Sequence, residues 1–250
     1  MNTQTRTDRR VAVVTGAAGG LGRAIVRRLL ADGLEVSAWD VSDAALAELS
    51  AEASSTRLTT AQVDVGDEDS IDRATESALA RHGRLDILVN NAGIPGPTAR
   101  LVDYPLDEWS SVLRVNLTGT FLCMRRVVPE LLRSPAGRVV NVASVAAKLA
   151  SPEICAYAAS KAGVISLTRG LARELAATDV RVNCVTPGAI RTDIFRRWPD
   201  LYVQGLMQKI PIGRFGLPEE LAAMVAWLSG TECSFSTGAV FDLSGGRADA

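Results

Sequence analysis

The stretch that decides the fold is VAVV (Val11–Val14), TGAAGGLG (Thr15–Gly22) and RAIVRRLLADG (Arg23–Gly33). The apolar run reads as a strand, the octet as a glycine turn, and the remainder, with helical periodicity, as a helix. In that frame Gly16 takes the tight turn, Gly20 lets backbone approach a pyrophosphate, and Gly22 allows close helix packing. The free amides at the helix start attract phosphate charge. A merely flexible Gly/Ala turn would have the same composition. A second strand, EVSAWD, ends in Asp40, about twenty residues on, where a carboxylate accepts hydrogen bonds from an adenosine ribose. Turn and acid together point to dinucleotide binding.

The pattern then repeats. Short apolar strands alternate with helical segments: AALAELSAEAS after EVSAWD, SIDRATESALARHG after LTTAQVDV, and a long helical stretch through Leu132 after LDILVNN. RVVNVAS, a helix around Tyr157 to Ala177, VRVNCVT, an irregular segment to Leu217, the helix PEELAAMVAWLS and the strand AVFDLSG follow. Such a βα repeat implies an α/β fold, a doubly wound parallel sheet with helices on both faces. Ligands collect beyond the carboxyl ends of its strands.

Composition is consistent with one domain over residues 1–250. The chain is 47% hydrophobic, enough for a substantial core, and no Pro/Gly/Ser-rich stretch divides it. Net charge is −1 with dispersed basic residues, which argues against nucleic acid and against an anionic membrane, leaving small molecules as partners. Cys123, Cys155, Cys184 and Cys233 are widely spaced without a C-x-x-C, and MNTQTRTDRR lacks an apolar signal segment, so a cytoplasmic location is expected. His82 is the only histidine, which leaves little material for a Ser-His-Asp triad or a zinc site, and no metal is expected. It reads as the end of a helix.

In YAASK, Tyr157 and Lys161 stand four apart, on one helical face. A phenol titrates near ~10, and an adjacent ammonium stabilises the phenolate, so the pair reads as a proton-transfer site, although Tyr and Lys also meet at this spacing by chance on ordinary helices.

The glycine spacing, G-x-x-x-G-x-G, resembles that of the short-chain dehydrogenase/reductase family. The resemblance covers nearly the whole chain: Asp64 in VDV, NNAG at Asn90 to Gly93, Asn116 in RVNLTG, Ser144 in NVASV, YAASK, and PGAIRT at Pro187 to Thr192. It implies a Rossmann fold and an oxidoreductase in which Ser144 donates to the substrate oxygen and Tyr157 gives or takes its proton. Lys161 would hold the nicotinamide ribose and lower the Tyr157 pKa, and Asn116 would position a water. By themselves, Ser144 reads equally as a strand-end cap and Asn116 as a helix kink.

The resemblance also implies a cofactor surface. Gly16, Gly19, Gly20, Leu21 and Gly22 form its phosphate turn, and Asp40 and Val41 its ribose end. Asp64 approaches adenine with Val65 beside it, although Asp64 could instead cap the helix starting near Asp67. Asn90, Asn91, Ala92 and Gly93 line the other side, and Pro187, Gly188, Ile190 and Thr192 meet the nicotinamide together with Tyr157 and Lys161. NAD is expected over NADP, because Asp40 repels a ribose phosphate and Gly19 stands where phosphate-binding relatives often place Arg.

Substrate contacts are expected from Ile94, Pro95, Ser144, Ala146, Ile154, Tyr157 and a loop from about 191 to 217, with Arg191, Arg196, Arg197, Trp198 and Tyr202. The arginines suit a carboxylate or form a solvated face. NAGIPGPT and CSFSTGAVFDLSGGRA resemble the family's NAD-dependent sugar and sugar-acid dehydrogenases. The alternatives are a 3-oxoacyl-thioester reductase and a dinucleotide-sensing protein without catalysis. The helix carrying YAASK is apolar on several faces, and similar helices in the family pack between subunits, so a homotetramer or homodimer is expected.

Overall fold

Successive side chains of a strand face opposite layers, and β1 (Val11–Thr15), buried throughout, puts this to use. Ala12 and Val14 join one apolar cluster, Val11 and Val13 another on the opposite face. Burying such a side chain contributes about 1.5–3 kcal/mol relative to leaving it in water. The computed structural model describes residues 9–149, 151–192 and 200–248, apart from the side chains of 200–202.

With β1, strands β2 (Glu35–Asp40), β3 (Leu58–Gln62), β4 (Ile87–Asn90), β5 (Arg138–Val142), β6 (Arg181–Pro187) and β7 (Val240–Leu243) form one sheet. Its order is β3-β2-β1-β4-β5-β6-β7, and every pairing is parallel. On one face pack α1 (Gly20–Ala31), α2 (Asp43–Ala53) and α8 (Pro218–Ser229), through Ile25, Leu49 and Leu221. On the other lie α3 (Glu68–His82), α5 (Gly119–Leu131) and α6 (Cys155–Glu174), through Ile71, Val127 and Ala172. The expected Rossmann-type sheet is what the chain forms. Strand order reverses between β1 and β4, and a crevice opens at such a switch point.

Three segments differ from expectation. The long helical stretch before Leu132 is α4 (Leu106–Leu113) joined to α5 through a turn of π geometry at Arg114–Thr118. The segment expected to be irregular up to Leu217 contains α7 (Asp200–Met207). There Val203 and Leu206, one helical turn apart, are both partly withdrawn from solvent. His82 does end α3, yet its ring is buried. Nδ1 lies 2.8 Å from Glu35 Oε2 and Nε2 3.1 Å from Thr59 Oγ1, so the imidazole ties the helix end to β2 and β3.

Candidate active site

The glycine turn is held from two sides. Gly16 adopts φ +60, a left-handed conformation, and a β-carbon there would come within 2.7 Å of Ala92 Cα. Thr15 Oγ1 accepts from the amides of Asn91 and Ala92, both at 3.1 Å, while Asn91 Nδ2 donates to Thr15 O at 3.1 Å and Gly16 O at 2.9 Å. Turns after β1 and β4 are thereby clasped together at the switch point. A β-carbon on Gly22 would lie 2.1 Å from Gly16 O, so only glycine lets α1 start this close to the turn.

The start of α1 has no side-chain cap and no acidic residue in its first turn. Its leading amides lack intrahelical partners and open on a cleft of about 600 Å³ lined by Gly16, Gly19, Gly20, Leu21 and Gly22. Unpaired amides beside a bare backbone fit a pyrophosphate, with the helix dipole favouring its charge. Asp40 and Val41 line the same cleft from the end of β2. Asp40 is also a structural acceptor, taking the Ala18 amide on Oδ2 at 2.9 Å and the Ser42 amide on Oδ1 at 3.1 Å.

Asp64, Val65, Asn91, Ala92, Gly93 and Ile94 complete the walls named from the sequence, and Thr192 reaches across from β6. Thr192 Cγ2 stands 3.3 Å from where a Gly20 β-carbon would be. The α3 cap is Asp67, which accepts from the Asp69 amide at 3.1 Å, so Asp64 is not that helix's cap. Val63, Ser111, Arg114 and Val115 also line the cleft and were not singled out from the sequence. Their signal was helical spacing: Ser111, Arg114 and Val115 share a face just ahead of Asn116.

Pro187, Gly188 and Ile190 are not among the residues lining the cleft. Gly188 donates to Leu243 O at 2.9 Å, and Ile190 bridges to Gly216. Buried Asn90 faces inward, donating to Asn141 Oδ1 at 2.9 Å.

Asn116 is fully buried in the π turn, a geometry frequent at functional sites. Its Oδ1 accepts the Ile94 amide at 2.8 Å, and Nδ2 donates to Ile94 O at 2.9 Å and Ser160 Oγ at 3.0 Å. The carboxamide therefore fastens Ile94 to α6, and both its hydrogens are engaged by protein. Only the second lone pair of Oδ1 or the backbone could serve a water.

Ser144, Tyr157 and Lys161 meet where β5 ends and α6 begins. Ser144 is buried, with Oγ accepting the Ala146 amide at 3.1 Å. Burial pushes the Tyr157 phenol above its ordinary value, and the hydrogen bond with Ser144 pulls it back in part. Lys161 Nζ donates to Val142 O at 2.9 Å and lies 5.9 Å from the centroid of the Tyr157 ring. Burial lowers its ammonium to about 8. The sequence-based expectation that Lys161 brings the phenol down is thus not met here: desolvation dominates and the ammonium is turned to the Val142 carbonyl. Nζ also stands 3.2 Å from where a Gly93 β-carbon would be, so the lysine borders the cleft behind Gly93.

Toward the substrate side, Ala146 is buried beside Ser144, Ile154 precedes α6 half-buried, and Pro95 is exposed. The Ala99 amide donates to Glu153 O at 2.9 Å and joins the loops that follow β4 and β5. Arg191 is exposed and lines a neighbouring cleft with Arg23, Arg27 and Glu219 rather than the glycine cleft. Arg196, Arg197 and Trp198, and the side chain of Tyr202, lie outside the described residues.

Fold and cleft together define an α/β enzyme of the dinucleotide-binding kind, with Ser144, Tyr157 and Lys161 brought together at the strand ends. Residues 10–201 match the family model described as short chain dehydrogenase. The chain belongs to the short chain dehydrogenase family and is an oxidoreductase acting on CH–OH groups. It is similar to the 2-dehydro-3-deoxy-L-rhamnonate dehydrogenase (NAD(+)) of Sphingomonas sp. (strain SKA58), 43% identical over 238 residues, covering 95% of each chain. It is also similar to a 3-oxoacyl-[acyl-carrier-protein] reductase of Thermotoga maritima, 39% identical over 96% of this chain and 98% of the other. Among solved structures, an NAD+-bound xylitol dehydrogenase superposes with a TM-score of 0.90 at 31% identity, covering 95% and 98% of the two chains. Among the described residues, no helix is long and apolar enough to cross a membrane.

Proposed function

We propose that residues 1–250 act as one catalytic domain, an NAD-dependent dehydrogenase of a small polyhydroxylated secondary alcohol, of the sugar, sugar-acid or polyol class. The observation that carries the reading is the Asp40 carboxylate at the end of a cleft built for a dinucleotide. The 43% identity to an NAD(+) sugar-acid dehydrogenase supports the substrate class.

Bound NAD supplies the acceptor for the hydride that leaves the carbinol carbon. The Ser144 hydroxyl holds the substrate oxygen. The Tyr157 phenolate takes the hydroxyl proton as the carbonyl forms, and returns it in the reverse direction. Lys161, buried behind Gly93, holds a ribose hydroxyl and places positive charge near the phenol. Asn116 keeps Ile94 against α6, fixing the wall between cofactor and substrate. The amides of Gly20 to Gly22 hold the pyrophosphate, and Thr192 closes over them.

A 3-oxoacyl-thioester reductase is the second reading, favoured by the 39% identity to a protein of that name. Following nicotinamide absorbance with NAD and a panel of sugars, sugar acids and polyols, beside acetoacetyl thioester with NADH and NADPH, separates the two. NAD reduction by a sugar acid or polyol is the expected result; thioester reduction alone would overturn it.

Preference for NAD over NADP follows from the charge of Asp40 facing the ribose. Removing Asp40 outright would free both the Ala18 and the Ser42 amides, whereas Asp40→Asn removes the charge, keeps one acceptor for the Ala18 amide and gives up only the longer bond from Ser42, so it is the cleaner variant. It should narrow the NAD-to-NADP ratio of kcat/KM about tenfold, as expected for losing a repulsion of ~1.4 kcal/mol. An unchanged ratio would reject the charge argument.

We also propose a cytoplasmic homotetramer or homodimer. Unpaired cysteines support the location, and exposed Trp227 and Phe235 support association. Light scattering giving a monomer would overturn the second point.

A further inference from the structure

Arg114 lies in the π turn ahead of Asn116, and its guanidinium reaches a residue fifty positions earlier in the chain. Its Nη1 donates to Asp64 Oδ2 at 2.9 Å. The other oxygen, Oδ1, accepts the Gly66 amide at 2.8 Å. Space for this arrangement depends on residue 66 being glycine: a β-carbon there would come within 2.2 Å of Arg114 Nη1 and 2.8 Å of Cζ. Asp64 and Arg114 both line the glycine cleft, beside Val65 and Val115. The carboxylate is therefore tied at both oxygens to one rotamer, although the pair is partly open to water.

An ionised carboxylate only accepts hydrogen bonds, and each of its oxygens can take more than one. Asp64 so fixed can still take an N–H from a bound base. A base presenting a carbonyl oxygen at that point would meet it lone pair to lone pair. Burial raises the Asp64 carboxyl, but hydrogen bonds from Arg114 and Gly66 outweigh it and hold the group below its ordinary value, keeping it acceptor-only at neutral pH.

We infer that Arg114 is a positioning residue for base recognition: acting through Asp64, it makes the cleft select a purine bearing an exocyclic amine over one bearing a carbonyl in its place. The inference rests on the reading that Asp64 approaches the adenine of the cofactor. Arg114 and Gly66 form one device, in which the missing side chain makes room for the guanidinium.

The test is direct binding, by fluorescence titration, of NADH and of reduced nicotinamide hypoxanthine dinucleotide. It uses the wild type, Arg114→Gln, Gly66→Ala, the Arg114→Gln/Gly66→Ala double variant and Asp64→Ala. The wild type should prefer the adenine form. Arg114→Gln and Gly66→Ala should each narrow that preference about two- to fivefold, the scale of a partly exposed ion pair. The double variant should narrow it no further, since both changes break the same contact. Added salt should erode the wild-type preference and leave that of the variants unchanged, because the pair is screened. Gly66→Ala removes no charge, so a shared loss of preference would not come from lost charge. An equal weakening of both dinucleotides would mark general damage to the cleft and overturn the inference. A ratio unmoved by Arg114→Gln but collapsed by Asp64→Ala would overturn it while sparing the placement of adenine. A ratio unmoved by Asp64→Ala would remove both.

Discussion

Tyr157→Phe is expected to lower turnover about a thousandfold or more, at the upper part of the range for losing a general acid–base group, with NADH binding nearly intact. Among the described residues the phenol is the group beside Ser144 free to exchange a proton with a substrate oxygen: Lys161 is turned to Val142 O, and Asn116 has both amide hydrogens engaged by protein. The same variant checks the electrostatics. Burial holds the phenol above its ordinary value, so at neutral pH the phenolate is a minor form that grows about tenfold per pH unit. Alcohol oxidation by the wild type should therefore accelerate as pH rises through the neutral range, and ketone reduction, which needs the protonated phenol, should not. Residual oxidation by Tyr157→Phe should lose that dependence. Turnover within tenfold of wild type would remove Tyr157 from the acid–base role. A retained pH dependence in the variant would assign it to another group.

How far the sequence could lead depended on whether a feature was fixed by local chain geometry or by a distant partner. Gly16 and Gly22 were legible because their roles come from φ and from the absence of a β-carbon, and both show in the spacing. Asp40 was legible because a strand end after the glycine turn places it at the cleft. Its second role, accepting the Ala18 amide, depends on how the turn folds back and has no sequence signal. Tyr157 and Lys161 were paired correctly by helical spacing, but the direction of the phenol shift was not. Spacing places two side chains on one face and says nothing of the Val142 carbonyl that takes the lysine proton donor. Asn116 read either as a kink or as a site residue; the π turn shows the first, and its bonds to Ile94 and Ser160 are contacts between distant segments that spacing alone does not give. Arg114 escaped notice because its meaning lies in Asp64 and in the empty space over Gly66, which only the fold brings together.

Lys161→Met should abolish turnover and at the same time make the protein more resistant to heat at neutral pH. The ammonium is buried, and among the described residues its hydrogen bond goes to a neutral carbonyl, Val142 O. Among the described residues no carboxylate pairs with it, and burial lowers it from 10.5 to about 8. A gap of that size corresponds to about 3 kcal/mol of charge burial. Losing the bond to Val142 O offsets part of the gain, leaving about 1–2 kcal/mol, or a rise of about 3–6 °C in Tm for a chain of this length. The sign with pH follows from the direction of the shift. Below about 8 the lysine is protonated in both folded and unfolded chains, so the folded protein carries the whole cost. Between that value and 10.5 the folded lysine sheds its proton first and the cost disappears. The Tm advantage of Lys161→Met should therefore be full at neutral pH and shrink toward zero as pH approaches the ordinary lysine value. Thermal unfolding of both proteins across that range measures it. A variant no more stable than wild type at neutral pH, or an advantage that grows with pH, would mean that the ammonium is not held at a cost. In the expected case the fold gives up stability to keep a charge beside Tyr157, and the same substitution that recovers the stability removes the chemistry.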